Sequence, residues 1–424
     1  MRSKAFFVNG GAGRVICSIP AFEKYAEANP NDDFIIVCEG GTDFFKGHPK
    51  LDGRVYDHWH KRLFQEHIKD RICVSPEPYR VWHYYNQKCN LSQAYDIEIN
   101  GLSEPRELQK PSIELNKTEV IQGYNIVQEI KSVTKKDKVL VVQPFGRSVE
   151  QMGEFIADSS SRSMPLTAVV DIVNDLKKDY AVVIMSEYHF PVEENEEKTK
   201  FPIARPQIQD MRVWAAVIDV ADHFLGCDSM GQHIARALDK TATVVVGSTY
   251  PENISYPNHK DFDILDIGNG RREYSPIRIT MDETIDRFND SAMEMDKEQI
   301  KQVTASVRKR MGKSRTFTGT FVAPQQTQSN CCDNPSGPPQ QYSPQSQLGA
   351  PPQQQFMPQQ QQQQQIASPP VVPGRTQGAP KPNAPTPNFT LNRPKPPSKG
   401  FKQEVKSLLK PDKSPTITIE KKKG

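Results

Sequence analysis

The chain has 424 residues, of which 36% are hydrophobic and 35 are proline, and a formal net charge of +3. At roughly 150 residues per domain this length calls for two domains and additional chain. No segment reaches the ~18 apolar residues of a membrane span, and the seven cysteines lack metal-ligand or disulfide-framework spacing, so neither a membrane-spanning protein nor a disulfide scaffold is expected.

The odd cysteine count suits a reducing compartment, and the apolar run after the basic start breaks at Asn9 and Gly10, too early for a secretory signal. A cytoplasmic protein is expected. From about Val322 onward the chain holds most of the proline and glutamine, with almost no apolar periodicity, so residues 321–424 are read as a disordered tail. Residues 323–424 carry 12 Lys and Arg against 4 Asp and Glu, a surplus of eight that leaves −5 for the rest of the chain. A mildly acidic folded part gives no footing for nucleic acid, and no nucleic-acid partner is expected.

In chain order, "KAFFVN" reads as a buried strand, "GGAGR" as a turn, and "CSIPAFEKYAEANP" as a helix with Ile19, Phe22, Tyr25 and Ala26 on one face. "DFIIVCEGG" is a second strand. "GRVYDHW" and "AYDIEING" read as further strands, separated by an aromatic-rich helical or irregular stretch from Lys61 to Lys88. After the charged break "SVTKKDK" the alternation restarts. "VLVVQP", "YAVVIMSE", "HFLGCDS" and "TATVVVGST" are strands, and "LTAVVDIVNDLKKD", "QDMRVWAAVIDVAD" and "GQHIARALDK" are helices. One or two helices within residues 282–311 close the folded region. The alternation predicts two α/β halves, 1–132 and 133–320, whose ligands belong at the carboxyl ends of the strands.

The turn "NGGAGRV" is similar to the start of a dinucleotide-binding fingerprint, but Ile16 or Cys17 stands where the third glycine belongs. Glu39 ends the next strand, as a ribose-binding acid would. A YxxxK match, Tyr84 to Lys88, is cheap by chance. A bare glycine turn before a helix is more often a packing or anion-binding device than a cofactor site.

The second half carries a more specific pattern, "LGCDSMGQHIARALDKTATVVVGSTYP" at residues 225–251. It resembles the donor-binding segment of the heptosyltransferase-like glycosyltransferases, through Asp228, Ser229, His233, Ala235, Ala237, Leu238, Gly247, Thr249 and Pro251. Taken alone, Asp228 or Ser229 reads as a helix cap and His233 as a core histidine. The strand end, small polar turn and helix N-terminus nonetheless suit a diphosphate through unpaired backbone N–H groups and the helix dipole.

The resemblance implies the GT-B fold: α/β, two Rossmann-like domains facing across a cleft, acceptor domain first and nucleotide-sugar domain second. It implies a metal-independent inverting transfer from a nucleotide-diphospho-sugar to a saccharide or other hydroxyl acceptor. No resident cofactor is implied. Arg162, three residues before Pro165, and Arg147 fall where basic side chains meet the diphosphate, and an arginine fork suits that group. Glu187 falls where an acid holds the donor ribose. In the first half, Pro20, Ala21, Pro30, His48 and Pro49 fit the family order, which places Gly11 and Gly13 on the floor of the acceptor cleft.

Two positions depart from the family. An Asp directly after the turn glycine is its proposed general base, and here Arg14 stands there, which cannot accept a proton. Either Glu39 or Asp43 takes that work, or the acceptor differs, or the protein binds without catalysis. Arg14 would then hold an anionic acceptor or the leaving diphosphate. The second departure is Met230 in place of glycine, with Gly231 one position later. An inactive GT-B-like binding or assembly protein working through its tail is the alternative. In that tail, Phe401, Val405, Leu408 and Leu409 share one face of a basic helix over 399–410, a docking element for a protein partner.

Overall fold

The computed structural model describes residues 3–152, 155–158, 160–272 and 290–319. The tail and its expected helix at 399–410 lie outside them. Among the described residues no helix is long and apolar enough to cross a membrane.

The first half runs β1 (Lys4–Val8), α1 (Ala12–Ala28), β2 (Ile35–Cys38), β3 (Val55–Asp57), β4 (Ile72–Val74), α2 (Trp82–Tyr85), α3 (Leu91–Asn100) and α4 (Lys117–Thr134). Its four strands form one parallel sheet in the order β3-β2-β1-β4. Phe6 packs edge-on against Phe22, Tyr25 and Phe34 in its core, with ring centroids 4.9 Å apart for Phe6 and Tyr25. The segment "AYDIEING" is α3 rather than a strand. Asn90 and Gln93 form a reciprocal capping box at its start, and Gly101 closes it in the left-handed conformation. The fourth strand is instead β4, inside the aromatic-rich stretch.

The second half runs β5 (Val139–Gln143), β6 (Val149–Met152), β7 (Phe155–Asp158), α5 (Leu166–Leu176), β8 (Ala181–Ile184), α6 (Met211–Val220), β9 (His223–Cys227), α7 (Met230–Ala237), β10 (Ala242–Val246), α8 (Pro251–Ile254), β11 (Phe262–Asp266) and α9 (Lys297–Met311). Five strands form a parallel sheet in the order β8-β5-β9-β10-β11, while β6 and β7 make a separate antiparallel hairpin. The strands read as unbroken apolar runs because helices cover both faces. Helix α4 packs Val127 and Ile130 into this second core with Val139, Ala181 and Trp214. The apolar face of α4 has its mate on α6, beside the second sheet.

The expected α/β architecture with two Rossmann-like parallel sheets is what the chain forms. In each sheet the strand order reverses once, between β1 and β4 in the first and between β5 and β9 in the second. Such reversal points open a crevice at the carboxyl ends of the strands, where open α/β sheets take ligands. Helix α1 follows β1 and helix α7 follows β9, so a helix N-terminus stands at each crevice.

Candidate active site

The two N-termini meet. A Cβ placed on Gly13 would lie 3.3 Å from His233 Cδ2 and 3.6 Å from Met230 Cα, and one on Gly11 would lie 3.2 Å from Arg147 Nη1. The glycine turn of the first half thus lies directly against the first turn of α7 and the Arg147 side chain. Gly10 has φ +89°, and a side chain there would also collide with Arg14 Cδ at 2.6 Å. Its N–H donates to the Glu39 carboxylate, which fixes the turn to the end of β2.

Arg14 folds back over this turn into a buried pocket. Its guanidinium stacks 4.7 Å from the Tyr79 ring, and Nη2 is 3.7 Å from Glu77 Oε1, beyond hydrogen-bond reach. Nε and Nη2 of Arg14 and both Glu77 carboxylate oxygens are buried without a hydrogen-bond partner. Burial works against the charge on Arg14, yet Tyr95, Tyr79 and Glu77 around it raise its pKa above the ordinary arginine value. Arg14 is a fixed cation.

On the other side, Asp228 follows β9 and is buried. Its Oδ1 accepts from Gln232 Nε2 at 3.1 Å and its Oδ2 from the Thr249 hydroxyl at 3.0 Å, with Arg162 Nη1 3.7 Å away. Arg162 is held from below by Asp158. That carboxylate accepts from the backbone N–H groups of Ser160 (2.7 Å), Arg162 (3.0 Å) and Ser163 (2.7 Å). Burial pushes the Asp158 pKa up, and these bonds with the Ser160 and Ser163 contacts outweigh it, leaving the group below its ordinary value. For Arg162 burial is outweighed by Asp228, Asp158 and Tyr79, so its pKa is raised. Tyr79, from the first half, therefore sits within electrostatic range of both Arg14 and Arg162.

Ser229 is the N-cap residue of α7, but its side chain makes no capping bond to the helix. Gln143, at the end of β5, does that work. Its Oε1 accepts from the Gly231 N–H at 2.9 Å and its Nε2 donates to Ser229 Oγ at 3.2 Å. A Cβ on Gly231 would stand 2.3 Å from that Oε1 and 2.4 Å from Phe224 Cζ, which gives the one-position offset after Met230 a packing reason. His233 is buried, with Nδ1 2.9 Å from the Tyr256 hydroxyl and 3.4 Å from the Cys17 thiol. Burial lowers its pKa to about 4, so it is neutral at ordinary pH and offers no charge to a phosphate.

No family model and no curated protein sequence matches the chain. Among solved structures, the glycosyl transferase family 9 protein from Veillonella parvula DSM 2008 is similar at 14% identity, covering 72% of this chain and 98% of that one with a TM-score of 0.50. The chain has the fold of that glycosyltransferase. E. coli ADP-heptose lps heptosyltransferase II matches more distantly, at 11% identity over 72% of this chain and 99% of that one, with a TM-score of 0.43. E. coli heptosyltransferase WaaC with ADP-2-deoxy-2-fluoro heptose matches at 15% identity over 63% and 94%, with a TM-score of 0.39.

Within this fold, Gly11, Gly13, Arg14, Glu39, Arg147, Arg162, Asp228, Ser229, Gly231 and His233 gather around the two crevices. Asp43 does not join them through its carboxylate, which pairs with Lys46 at 2.5 Å, while its carbonyl accepts from Arg212 Nη1 at 2.8 Å. Glu187 lies three residues beyond β8, exposed, with no hydrogen bond or ion pair among the described residues. Tyr84 of the YxxxK match is fully buried in the first core while Lys88 is exposed, which removes it as a site. Glu77, Tyr79, Tyr95, Gln143 and Asp158 were not legible as site residues. Only Asp158, preceding a run of serines, carried a local signal for a turn that bonds its own backbone.

Proposed function

We propose that this chain is a glycosyltransferase that moves a sugar from a nucleotide-diphospho-sugar to an acceptor hydroxyl, by inversion and with arginines rather than a metal ion carrying the diphosphate charge. The observation that carries the reading is the contact between the two crevices: two helix N-termini, at the reversal points of two parallel sheets, meet with Arg14, Arg147 and Arg162 around them. Helix N-termini and arginine forks favour phosphate oxygens. The shared fold with a family 9 glycosyltransferase agrees with it.

Arg162 and Arg147 take the diphosphate, with Ser229, Gly231 and the start of α7 beside it and Glu187 toward the donor ribose. Asp228 is a carboxylate and repels a diphosphate, so its part is to position Arg162 and Thr249. His233 holds α7 against α1. Gly11 and Gly13 leave room for the acceptor. Glu39 is exposed beside the turn and takes the acceptor proton. The acceptor oxygen then bonds the anomeric carbon as the bond to the diphosphate breaks and its electron pair leaves with the phosphate oxygen. Arg14, with unmet donors beside the unmet acceptors of Glu77, suits a polyhydroxyl acceptor, because a sugar hydroxyl both donates and accepts. Asp43, tied to Lys46, is the weaker base candidate.

Arg14 also supports the second reading, a domain that binds the donor without turning it over. A melting screen across nucleotide-sugars, followed by mass spectrometry of the mixture, separates the two. A ligand at 100 times its Kd stabilises the native state by about 2.7 kcal/mol. A melting rise with release of free nucleoside diphosphate supports the enzyme, and a rise with intact donor supports the binding module. If no nucleotide-sugar raises the melting point at millimolar concentration, both readings fail.

A further inference from the structure

The crossover from β3 to β4, residues 58–71, carries the backbone past β2 and β1 with one π-helical turn, Phe64–Ile68, where a longer helix is usual. It buries little. Leu63 and Ile68 are only partly buried, against Ala5, Ile35 and Val37. Arg62 and Asp70 both hold left-handed backbone conformations, φ 64° and 70°, that cost free energy for residues other than glycine. Trp59 and Phe64 stand 82% and 60% exposed. Beyond these contacts, Arg71 ties the end of the crossover by donating to the His67 carbonyl and the Asp33 carboxylate, both at 2.7 Å.

Two histidines and a glutamate of this segment converge. One ligand atom from each of His60, Glu66 and His67 lies within 4.8 Å of the others. The Tyr56 ring lies 4.0 Å from the His67 ring at a 30° tilt and 5.4 Å from His60, and the imidazoles are 5.2 Å apart. The Tyr56 ring thus contacts both imidazoles. We infer that His60, Glu66 and His67 form a binding site for a zinc-type divalent cation that clips the β3–β4 crossover.

Two neutral imidazoles and one carboxylate are a donor set that borderline-soft divalent ions take, with water in the fourth position. Around zinc at ~2.0–2.1 Å the ligand atoms of a tetrahedron lie about 3.4 Å apart. The three groups must therefore draw in by at most about 1.4 Å, a movement within the rotamer freedom of exposed and part-exposed side chains. Glu66 Oε1 now meets Arg62 Nε at 3.1 Å, with both side chains well exposed, a pair weak enough for a cation to replace. Because all strands of the first sheet are parallel, the segment leaves β3 at the same sheet edge as the Gly10–Arg14 turn. The clip would thus fix Trp59 and Phe64 on the acceptor half.

The full chain, prepared without a histidine tag and dialysed against EDTA, is titrated with Zn2+ by calorimetry and with Co2+ by visible absorption. One equivalent is expected, with the intense Co2+ band of a four-coordinate site. His60→Ala and His67→Ala should each weaken binding about tenfold or more, and Zn2+ should slow proteolysis between residues 58 and 71 in the wild type alone. Binding that survives in the His60→Ala, His67→Ala double variant places the metal elsewhere and overturns the inference. So does a wild-type chain that takes up no Zn2+ and gains no protection in the crossover.

Discussion

Replacing Arg162 with alanine tests the donor side most directly. Its guanidinium donates to Ser160 Oγ at 3.1 Å and stands 3.7 Å from Asp228, while about a quarter of the side chain remains exposed at 27%. The fork is therefore held from behind with its outer edge open. A charge-assisted hydrogen bond is worth about 1.5–3 kcal/mol, so Arg162→Ala should raise the Kd of a nucleoside diphosphate by about 10- to 150-fold. The melting point of the free protein should change little, since Gln232 and Thr249 continue to satisfy Asp228. Calorimetric titration of Arg162→Ala, Asp228→Asn and the double variant completes a cycle. If Asp228 acts by positioning Arg162, its replacement costs nothing more once the arginine is gone, and the double variant matches Arg162→Ala within about 0.5 kcal/mol. Unchanged affinity in Arg162→Ala, with unchanged melting, would remove the diphosphate from this loop. Additive effects in the cycle would detach Asp228 from it.

Other changes probe the frame around the site. Arg212 is buried and donates to Glu119 Oε1 at 2.6 Å, Glu119 Oε2 at 2.9 Å and the Asp43 carbonyl at 2.8 Å, so Arg212→Ala leaves an unpaired buried carboxylate and should cost about 3–5 kcal/mol in urea denaturation. Burial raises the Glu119 pKa, but the Arg212 bonds and the Asn116 N–H outweigh it and the net shift is downward. Its stabilisation is therefore complete above the ordinary carboxylate range and lost as acid titrates it through the lowered folded value. Glu119→Gln should flatten that acid limb, and a wild-type limb no steeper than the variant's would speak against the pairing. Gly123→Ala gains about 1 kcal/mol of helix propensity, yet its Cβ would stand 2.6 Å from the Ala216 carbonyl carbon across the α4–α6 contact, and a net loss of stability is expected. A higher denaturation midpoint would contradict that packing. His233, lowered by burial to about 4, contributes stability that is complete above its ordinary value and lost as pH falls toward 4. The span is worth about 3 kcal/mol. The stability difference between wild type and His233→Gln should shrink across that window, and a constant difference would mean that His233 does not titrate as a buried neutral group.

What the sequence disclosed and what it withheld have a common physical cause. The second half is legible because β5, β8, β9 and β10 are fully buried runs separated by amphipathic helices, so each element carries its own periodic signal. Strand β4 has no such signal: it is three residues long, at the sheet edge, with Ile72 45% exposed. In α3 the spacing of Tyr95, Ile97 and Ile99 imitates a strand, and the capping box at Asn90 was the better guide. Helix α4 also begins with a capping box, Asn116 with Glu119, but Ile121, Tyr124 and Val133 are exposed apolar residues that blur its buried face. Within the candidate site, the glycine turn stands out as a local pattern, while Asp228 and Arg162 enter only through the resemblance of their segments to a known family. Glu77 and Gln143 could not be found that way, because their roles come from residues 63 and 88 positions distant, Arg14 and Gly231.

Arg14 is bound up with its surroundings. Gly10 can hold its turn only without a Cβ, and the space a Cβ would claim is occupied by the Arg14 stem. The guanidinium ends between the Tyr79 face and the Glu77 carboxylate, so the pocket contains one cation and one anion and is nearly neutral. Without the guanidinium the Glu77 carboxylate would be buried in that pocket with no cation beside it. In the proposed transfer, the base for this half therefore stands outside the pocket while remaining at the turn. Glu39 meets both conditions. It is exposed, and it is tied to the Gly10 N–H at the end of β2, one strand from the crevice where α1 begins. On the same proposal Arg14 and Glu77 recognise the acceptor, because their buried donors and acceptors without a partner suit a ligand that brings both.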